Sequence, residues 1–307
     1  MKYIHLFETV EDFDEVYNGQ DYEEPWVSYI RETKTITFNK IPQHDYSKDY
    51  FTVKAITNCT VTSPRRANEL PKYRINGGEW TEASAGGIQG LSLNAGDEME
   101  ISFAPQLAEV PNTYATFFTS MSGQYEFYGN IFSLMYGDDF IGKTSFVNTA
   151  ITFTQMFAGL TGLTSAENLI LPATTLNEGQ YKYSMYYGSY KEMFNGCTSL
   201  TIAPKLPATT LSSWCYANMF QGCTSLTTVP ELPATTLANY CYQQMFNGCS
   251  SLNNIKCLAT DISATSCTYN WVDWVASAGT FVKDANMSSW TTGSNGIPSG
   301  WTVEDAS

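Results

Sequence analysis

Charged side chains are scarce in this sequence, and histidine is almost absent. Only 15% of its 307 residues are charged and two are histidine, whereas 43% are hydrophobic and 14% aromatic. A chain this apolar is not typical of a disordered protein. Uncharged polar and aromatic residues must therefore form much of its exterior. The length is sufficient for at least two domains.

Basic residues are particularly few. The sequence has 16 lysine and arginine residues against 30 acidic ones, which gives a formal net charge of −14. A nucleic-acid surface needs clustered basic residues that displace counterions from phosphate, and this sequence has no such cluster. The composition therefore excludes a nucleic-acid partner and disfavours anionic membrane surfaces.

The sequence also lacks long hydrophobic runs. No stretch approaches the roughly 20 apolar residues of a membrane-spanning helix. The first residues do not form the apolar core of a signal peptide, because His5 and Glu8 interrupt a short apolar patch. We therefore expect no membrane insertion, and a protein that either leaves the cell by another route or works inside one.

What the sequence does have is an internal repeat. The phrase MFNGCTSL begins at Met193, MFQGCTSL at Met219 and MFNGCSSL at Met245, so successive copies are 26 positions apart. A second phrase, LPATTL, begins at Leu206 and Leu232, each time midway between two MF pairs. A fixed period of this length is typical of solenoids, in which stacked units bury one another's apolar faces.

Each repeat is predicted to contain a short helix. In one unit Thr236 is a candidate N-cap, and Leu237, Cys241 and Met245 follow at helical spacing. Gly248 then stands where a left-handed residue would end the helix. The pattern therefore favours one helix in each turn of the solenoid.

The cysteines follow the same period. Six of the eight fall into two series, Cys197, Cys223, Cys249 and Cys215, Cys241, Cys267. Residues at one phase of a solenoid face the same way in every turn, so stacked buried thiols are expected. Metal sites usually have cysteine pairs at short spacing, which are missing here, so no metal is expected.

The first half is predicted to form two smaller units. Trp26–Ile30 and Thr35–Phe38 have the composition of a hairpin, after a strand and an acidic helix that end by Tyr17. Short strands between turn signals then indicate a β-sandwich-like domain. The fold class expected is α+β. The predicted domains are a mixed unit at 1–44, the β-rich domain at 45–130, the repeat solenoid at 131–278 and a C-terminal cap at 279–307.

One octapeptide, Gly137–Thr144, matches the phosphate-binding pattern G-x-x-x-x-G-K-S/T. A working phosphate loop needs a following helix within a βαβ unit. Here the octapeptide contains two carboxylates, and the next residues are poor helix formers. We expect a structural turn, and no cofactor.

Catalytic groups are equally hard to find. Catalysis needs a positioned acid, base, nucleophile or metal. Both histidines, His5 and His44, lie in the mixed unit, and the carboxylates are scattered outside the repeats. The sequence therefore predicts a protein that is not an enzyme.

Aromatic residues supply the candidate ligand contacts. The first MF pair, at Met156, is farther from the next pair, at Met193, than the period requires, and the extra residues include a tyrosine-rich insertion. Two further aromatic residues each precede a cysteine of one series. Aromatic rings stack on sugars and on protein surfaces at low entropic cost. The candidates are Tyr181, Tyr183, Tyr186, Tyr187, Tyr190, Trp214 and Tyr240.

The repeat phrases resemble those of BspA-like leucine-rich repeat proteins encoded by gut Bacteroides and by their phages and prophages. MFxGCTSL, LPATTL and the final GTFVKDANMSSWTTGSNGIPSGWTV are the parts that match. KYIHLFETVEDFDEVYNG and YGNIFSLMYGDDFIGKT in the first half resemble phage-linked members. The tyrosine-rich insertion and Ser189, which replaces a cysteine of the repeat, depart from the pattern.

The resemblance implies a phage virion surface protein, of tail-fibre or head-decoration type, made in the host cytoplasm without a signal peptide. Its repeats would adhere to a host surface protein or glycan, and its N-terminal unit would dock onto other virion proteins. The alternatives are a purely structural virion component without a host ligand, and a bacterial adhesin at the cell surface. Homo-oligomerisation is left open.

Overall fold

The chain forms two compact units, Met1–Asp45 and Tyr46–Ser307. The computed structural model describes residues 22–24, 27–30, 35–38, 44–64, 71–103, 117–146, 153–176 and 188–306. The strand and the acidic helix predicted before Asn18 lie outside this part.

The first unit contains a three-stranded antiparallel sheet. Its strands are β1 (Tyr22–Glu24), β2 (Val27–Ile30) and β3 (Thr35–Phe38), and they neighbour each other in that order. Strands β2 and β3 pair from Val27 opposite Phe38 to Ile30 opposite Thr35. The predicted hairpin is therefore confirmed.

The second unit is built mainly from strands. Among its described residues, the helical segments are the four-residue helix α1 (Ser133–Tyr136) and the 3-10 turns Tyr46–Lys48 and Gly137–Asp139. Its strands are β4 (Phe51–Ala55), β5 (Cys59–Pro64), β6 (Pro71–Ile75), β7 (Thr81–Glu82), β8 (Gly87–Leu93), β9 (Glu98–Phe103), β10 (Ser120–Ser122), β11 (Tyr125–Asn130), β12 (Leu163–Ile170), β13 (Asn254–Cys257), β14 (Thr280–Lys283) and β15 (Thr302–Asp305).

Three sheets organise these strands. Six strands form the order β12-β11-β4-β9-β6-β7, three form β10-β5-β8, and the last three form β13-β14-β15. Apolar side chains from the first two sheets, such as Phe51, Val61 and Phe127, belong to one buried cluster. Their burial provides the main driving force for this part of the fold.

The β-rich part and the repeats are joined through backbone pairing. Strand β12, at the first repeat, pairs in parallel with β11 of the preceding sheet. Isolated parallel bridges then link Ser165 to Ile202, Ile202 to Thr228 and Thr228 to Asn254, where β13 begins. The boundary predicted between residues 130 and 131 therefore does not separate two compact units.

The predicted helix of each repeat is wrong. Alternate backbone N–H groups instead donate to the next repeat, as from Phe220 to the Met245 oxygen at 3.0 Å and from Phe246 to the Trp271 oxygen at 2.8 Å. The N–H groups between them donate three residues back, as from Met219 to the Tyr216 oxygen. Left-handed backbone at Tyr240, with φ of 58°, and at Gln244, with φ of 49°, interrupts any right-handed helix. The apolar spacing that suggested a helix is produced by alternating backbone turns.

The α+β class with a leucine-rich repeat solenoid is corrected by the same finding. Strands make up 31% of the structure and helix only 4%, in several sheets and without closure into a solenoid. Helix propensity and the apolar spacing favoured a helix. Hydrogen bonds between neighbouring repeats instead help to satisfy the backbone N–H and C=O groups.

Residues at one phase of the repeat form columns in the core. Phe194 stacks on Phe220 at 5.5 Å between ring centroids, and Phe220 on Phe246 at 5.9 Å. The Cys223 thiol donates to the Phe194 oxygen at 3.1 Å, and the Cys249 thiol repeats this contact one unit later. All eight cysteines are buried and free, and the burial of the six in the two periodic series was predicted.

Tryptophan side chains cover the last repeat. The ring of Trp290 stacks on that of Trp271 at 5.5 Å. The indole N–H of Trp271 donates to the Gly296 oxygen at 2.8 Å, and that of Trp301 to the Ala276 oxygen at 2.7 Å. The segment after Cys267 therefore closes the end of the core.

Candidate ligand-binding face

The octapeptide at Gly137 is occupied by contacts within the protein. Its Asp138 carboxylate pairs with Lys72 at 2.7 Å and accepts a hydrogen bond from the Tyr50 hydroxyl at 3.0 Å. The bond to Lys72 lowers the pKa of Asp138. Burial and the bond to Asp138 raise the pKa of Tyr50 to about 12. The carboxylate therefore ties this loop to strand β6 of the six-stranded sheet, which contains Lys72.

The rest of the octapeptide does not form a phosphate cradle. Helix α1 precedes the loop instead of following it, and residues 141–146 form no helix. The Lys143 ammonium lies over the Tyr136 ring, 5.4 Å from its centroid. A phosphate loop requires a helix N-terminus that faces the anion, and residues 141–146 do not supply one.

Two further findings concern the part of the chain that the structure describes. No group of three or more histidine, cysteine, aspartate or glutamate residues there could hold a metal ion. No helix there has the length and apolar character needed to cross a membrane.

The predicted contact residues fall into three groups. Tyr181, Tyr183, Tyr186 and Tyr187 lie outside the described residues. Tyr190 is fully buried, so its prediction as a ligand contact is wrong. Its ring stacks between Phe153 at 6.0 Å and Tyr216 at 5.9 Å, because its phase belongs to a core column.

Trp214 and Tyr240 come together on the surface. Their ring centroids are 4.2 Å apart, and their planes differ by 9°. Both side chains are half-buried. They occupy equivalent positions of successive repeats, since the Trp214 N–H donates to the Asn239 oxygen and the Tyr240 N–H to the Thr265 oxygen.

Ser266 is the next member of this column. Trp214, Tyr240 and Ser266 have φ values of 64°, 58° and 49°, so the three side chains leave the same kind of left-handed backbone. Ser266 is exposed and carries no ring. We call these three residues the aromatic column, which has two rings and ends at a small side chain.

A charged group covers the Trp214 end of the column. The Lys191 ammonium lies 5.8 Å from the Trp214 ring centroid and 2.8 Å from a Glu192 carboxylate oxygen. Gln155 donates a hydrogen bond to the other oxygen of Glu192. The Lys191–Glu192 pair thus joins this end of the column to a row of polar side chains, of which Glu192 is one member.

That row continues as a network of side-chain amides. Asn218, one period after Glu192, donates to Gln221 at 2.9 Å and to Gln244 at 3.4 Å. Asn195 also donates to Gln221, at 2.9 Å. All four side chains are half-buried. We refer to these amides and the aromatic column together as the ladder face, which consists of Asn195, Trp214, Asn218, Gln221, Tyr240, Gln244 and Ser266.

The chemistry of the ladder face is suited to binding. Stacked aromatic rings offer an apolar flat surface, and neighbouring amides offer both donors and acceptors. The side chains extend from turns held by hydrogen bonds between repeats, so little order has to be gained when a ligand binds.

Two exposed aromatic residues in the described part of the chain, Tyr269 and Trp274, were not predicted from the sequence. Trp274 is 77% exposed and has left-handed backbone with φ of 60°. The same phase is glycine in the preceding repeats, as at Gly222 and Gly248. Counting one further period on from Gly248 would have found it.

The chain was also compared with family models, curated proteins and solved structures. None of the three comparisons gives a match. Inferences about function therefore rest on the ladder face and the sequence.

Proposed function

We propose that this protein is a non-enzymatic surface component of a phage particle, of tail-fibre or head-decoration type, whose repeats adhere to the host surface. The observation that carries the proposal is the stacked pair Trp214 and Tyr240, which is joined at its Trp214 end through Lys191 to Glu192. Large aromatic residues on a rigid support are the commonest anchors of binding surfaces.

The state of the reactive side chains supports binding over catalysis. Burial raises the pKa of the Cys197 and Cys249 thiols to about 12, so they are poor nucleophiles at neutral pH. The carboxylate of Glu100 is held by Arg74. Groups paired in this way are not poised for acid–base chemistry.

The sequence supports the location on a particle. Its repeat phrases resemble those of BspA-like proteins encoded by Bacteroides and their phages. The mixed unit at 1–44 would dock onto other virion proteins, which leaves the repeats for contact with the host.

The proposal is tested with purified full-length protein and cells of a Bacteroides strain that the phage infects. Wild-type protein should bind the cells and compete with phage adsorption. A Trp214→Ala/Tyr240→Ala double variant should do neither. Trp80→Ala is a matched control, because Trp80 is also half-buried and also has a lysine, Lys72, over its ring.

A different outcome of this experiment would favour the alternative function. A folded wild-type protein that is found on the particle but neither binds cells nor competes with phage would contradict adhesion. It would favour a purely structural virion component.

A further inference from the structure

We infer that the ladder face binds a neutral oligosaccharide, with one sugar ring stacked on the Tyr240 ring above Ser266. The inference rests on the proposed adhesive function and names the class of ligand. It is distinct from recognition of a host surface protein.

The place for the sugar ring follows from the period of the aromatic column. Trp214 and Tyr240 stack at 4.2 Å because each occupies the same phase of its repeat. An aromatic residue at position 266 would continue the stack, but Ser266 has only a hydroxymethyl group. A six-membered sugar ring stacked on Tyr240 at the same spacing would therefore take the place that an aromatic side chain at position 266 would have.

The direction of binding is set by the other end of the column. The Lys191 ammonium lies over the Trp214 ring, and it is held by Glu192 at 2.8 Å. This end already has a partner, whereas the Tyr240 end adjoins exposed Ser266. A ligand ring therefore adds to the column at Tyr240.

The amide network is suited to sugar hydroxyl groups. Each hydroxyl is both a donor and an acceptor, as is each side-chain amide. Gln221 and Gln244 use their oxygens to accept from Asn218. Their Nε2 groups donate no hydrogen bond among the residues that the structure describes, so they remain able to donate to a ligand.

The charges of the face favour a neutral ligand. Its polar side chains are uncharged amides, and Lys191 and Glu192, which lie at its Trp214 end, neutralise each other. The chain as a whole has a net charge of −14. Sulfated or sialylated glycans would be repelled by this charge and would meet no free cation on the face.

The first test uses three variants of the full-length protein in the cell-binding assay. Tyr240→Ala should weaken binding about tenfold, because it removes the stacking ring. Ser266→Tyr should weaken binding by at least as much, because its ring fills the place of the sugar. Gln244→Ala should weaken binding more modestly through the loss of one amide.

The matched control is Ser250→Tyr, which adds the same ring to an exposed serine at another phase of the repeat. Its binding should equal that of wild type. Unchanged binding by Ser266→Tyr would overturn the proposed place of the sugar ring, since both tyrosine variants would then behave alike.

The second test separates glycan from protein as the ligand. Cells treated with periodate lose vicinal diols, and cells treated with proteinase K lose surface protein. Binding of the wild-type protein should be lost after periodate and kept after proteinase K. Binding that is lost after proteinase K and kept after periodate would overturn the glycan while leaving adhesion intact. Absence of binding to untreated cells would overturn both the glycan and the proposed function.

Discussion

The Trp214 ring lies 4.2 Å from the Tyr240 ring, nearly parallel to it, although the two residues are 26 positions apart. The same period places Tyr216 against Tyr242 in the core at 6.2 Å. The surface column of Trp214 and Tyr240 and the buried column of Tyr216 and Tyr242 are thus only two positions apart along the chain. The repeat therefore both builds the core and places aromatic rings on the surface.

The buried column that contains Tyr216 and Tyr242 is expected to be destabilised by a hydroxyl group that lacks a hydrogen-bond partner among the described residues. The Tyr216 hydroxyl is fully buried and has no hydrogen-bond partner among the described residues. Tyr216→Phe removes this hydroxyl and keeps the ring, so it should raise the free energy of unfolding by about 1 kcal/mol. Chemical denaturation measures the change. Tyr240→Phe, at a half-buried position, should leave stability unchanged, and a loss of stability in Tyr216→Phe would show that its hydroxyl has a partner.

Trp274 should carry a backbone cost. Its left-handed φ of 60° is natural for glycine, which holds this phase at Gly248 with φ of 78°. Trp274→Gly should therefore raise the free energy of unfolding by about 1 kcal/mol. Gly248→Ala is the reciprocal change and should lower it by a similar amount. The prediction is wrong if thermal denaturation shows Trp274→Gly to be less stable than wild type.

The buried thiols predict how stability depends on pH. Burial raises the pKa of Cys197, Cys249 and Cys257 to about 12, from an ordinary value of 9.0. Below pH 9 both folded and unfolded states keep these protons, so the thiols add no pH dependence. Between pH 9 and 12 only the unfolded state loses them, so stability falls by up to about 1.4 kcal/mol per pH unit for each thiol.

This dependence can be measured by denaturation between pH 7 and 11. Cys249→Ala removes one titrating group and should make the decline above pH 9 less steep. A decline of equal slope in Cys249→Ala and wild type would contradict the assignment to buried thiols.

The octapeptide Gly137–Thr144 is predicted not to bind a nucleotide. Asp138 is held by Lys72, and Lys143 packs over Tyr136. Wild type and Lys143→Ala should therefore show no saturable binding of ATP with Mg²⁺ by calorimetry. Saturable binding by wild type that is lost in Lys143→Ala would show that the loop rearranges to take a phosphate.

The sequence allowed the columns to be predicted, but not the backbone that forms them. A fixed period is sufficient to infer that Cys223 and Cys249 lie at equivalent buried positions. It does not reveal whether hydrogen bonds run within a repeat or between repeats. The spacing of Leu237, Cys241 and Met245 fits a helix and the observed backbone turns equally well. Only the left-handed backbone at Tyr240 and Gln244 distinguishes these two structures.

The candidate site was predicted in part for a similar reason. Trp214 and Tyr240 were found because each precedes a cysteine of one series. Tyr190 was misassigned, because the tyrosine-rich insertion obscured its place in the core column. The amide network was not predicted at all, since asparagine and glutamine give no signal until the fold brings successive repeats together.

The most direct test of the account is the competition of purified protein with phage adsorption to host cells. We predict that wild-type protein reduces adsorption and that the Trp214→Ala/Tyr240→Ala variant, folded to the same extent, does not. Equal competition by the two proteins would contradict the role of the ladder face, and competition by neither would contradict adhesion.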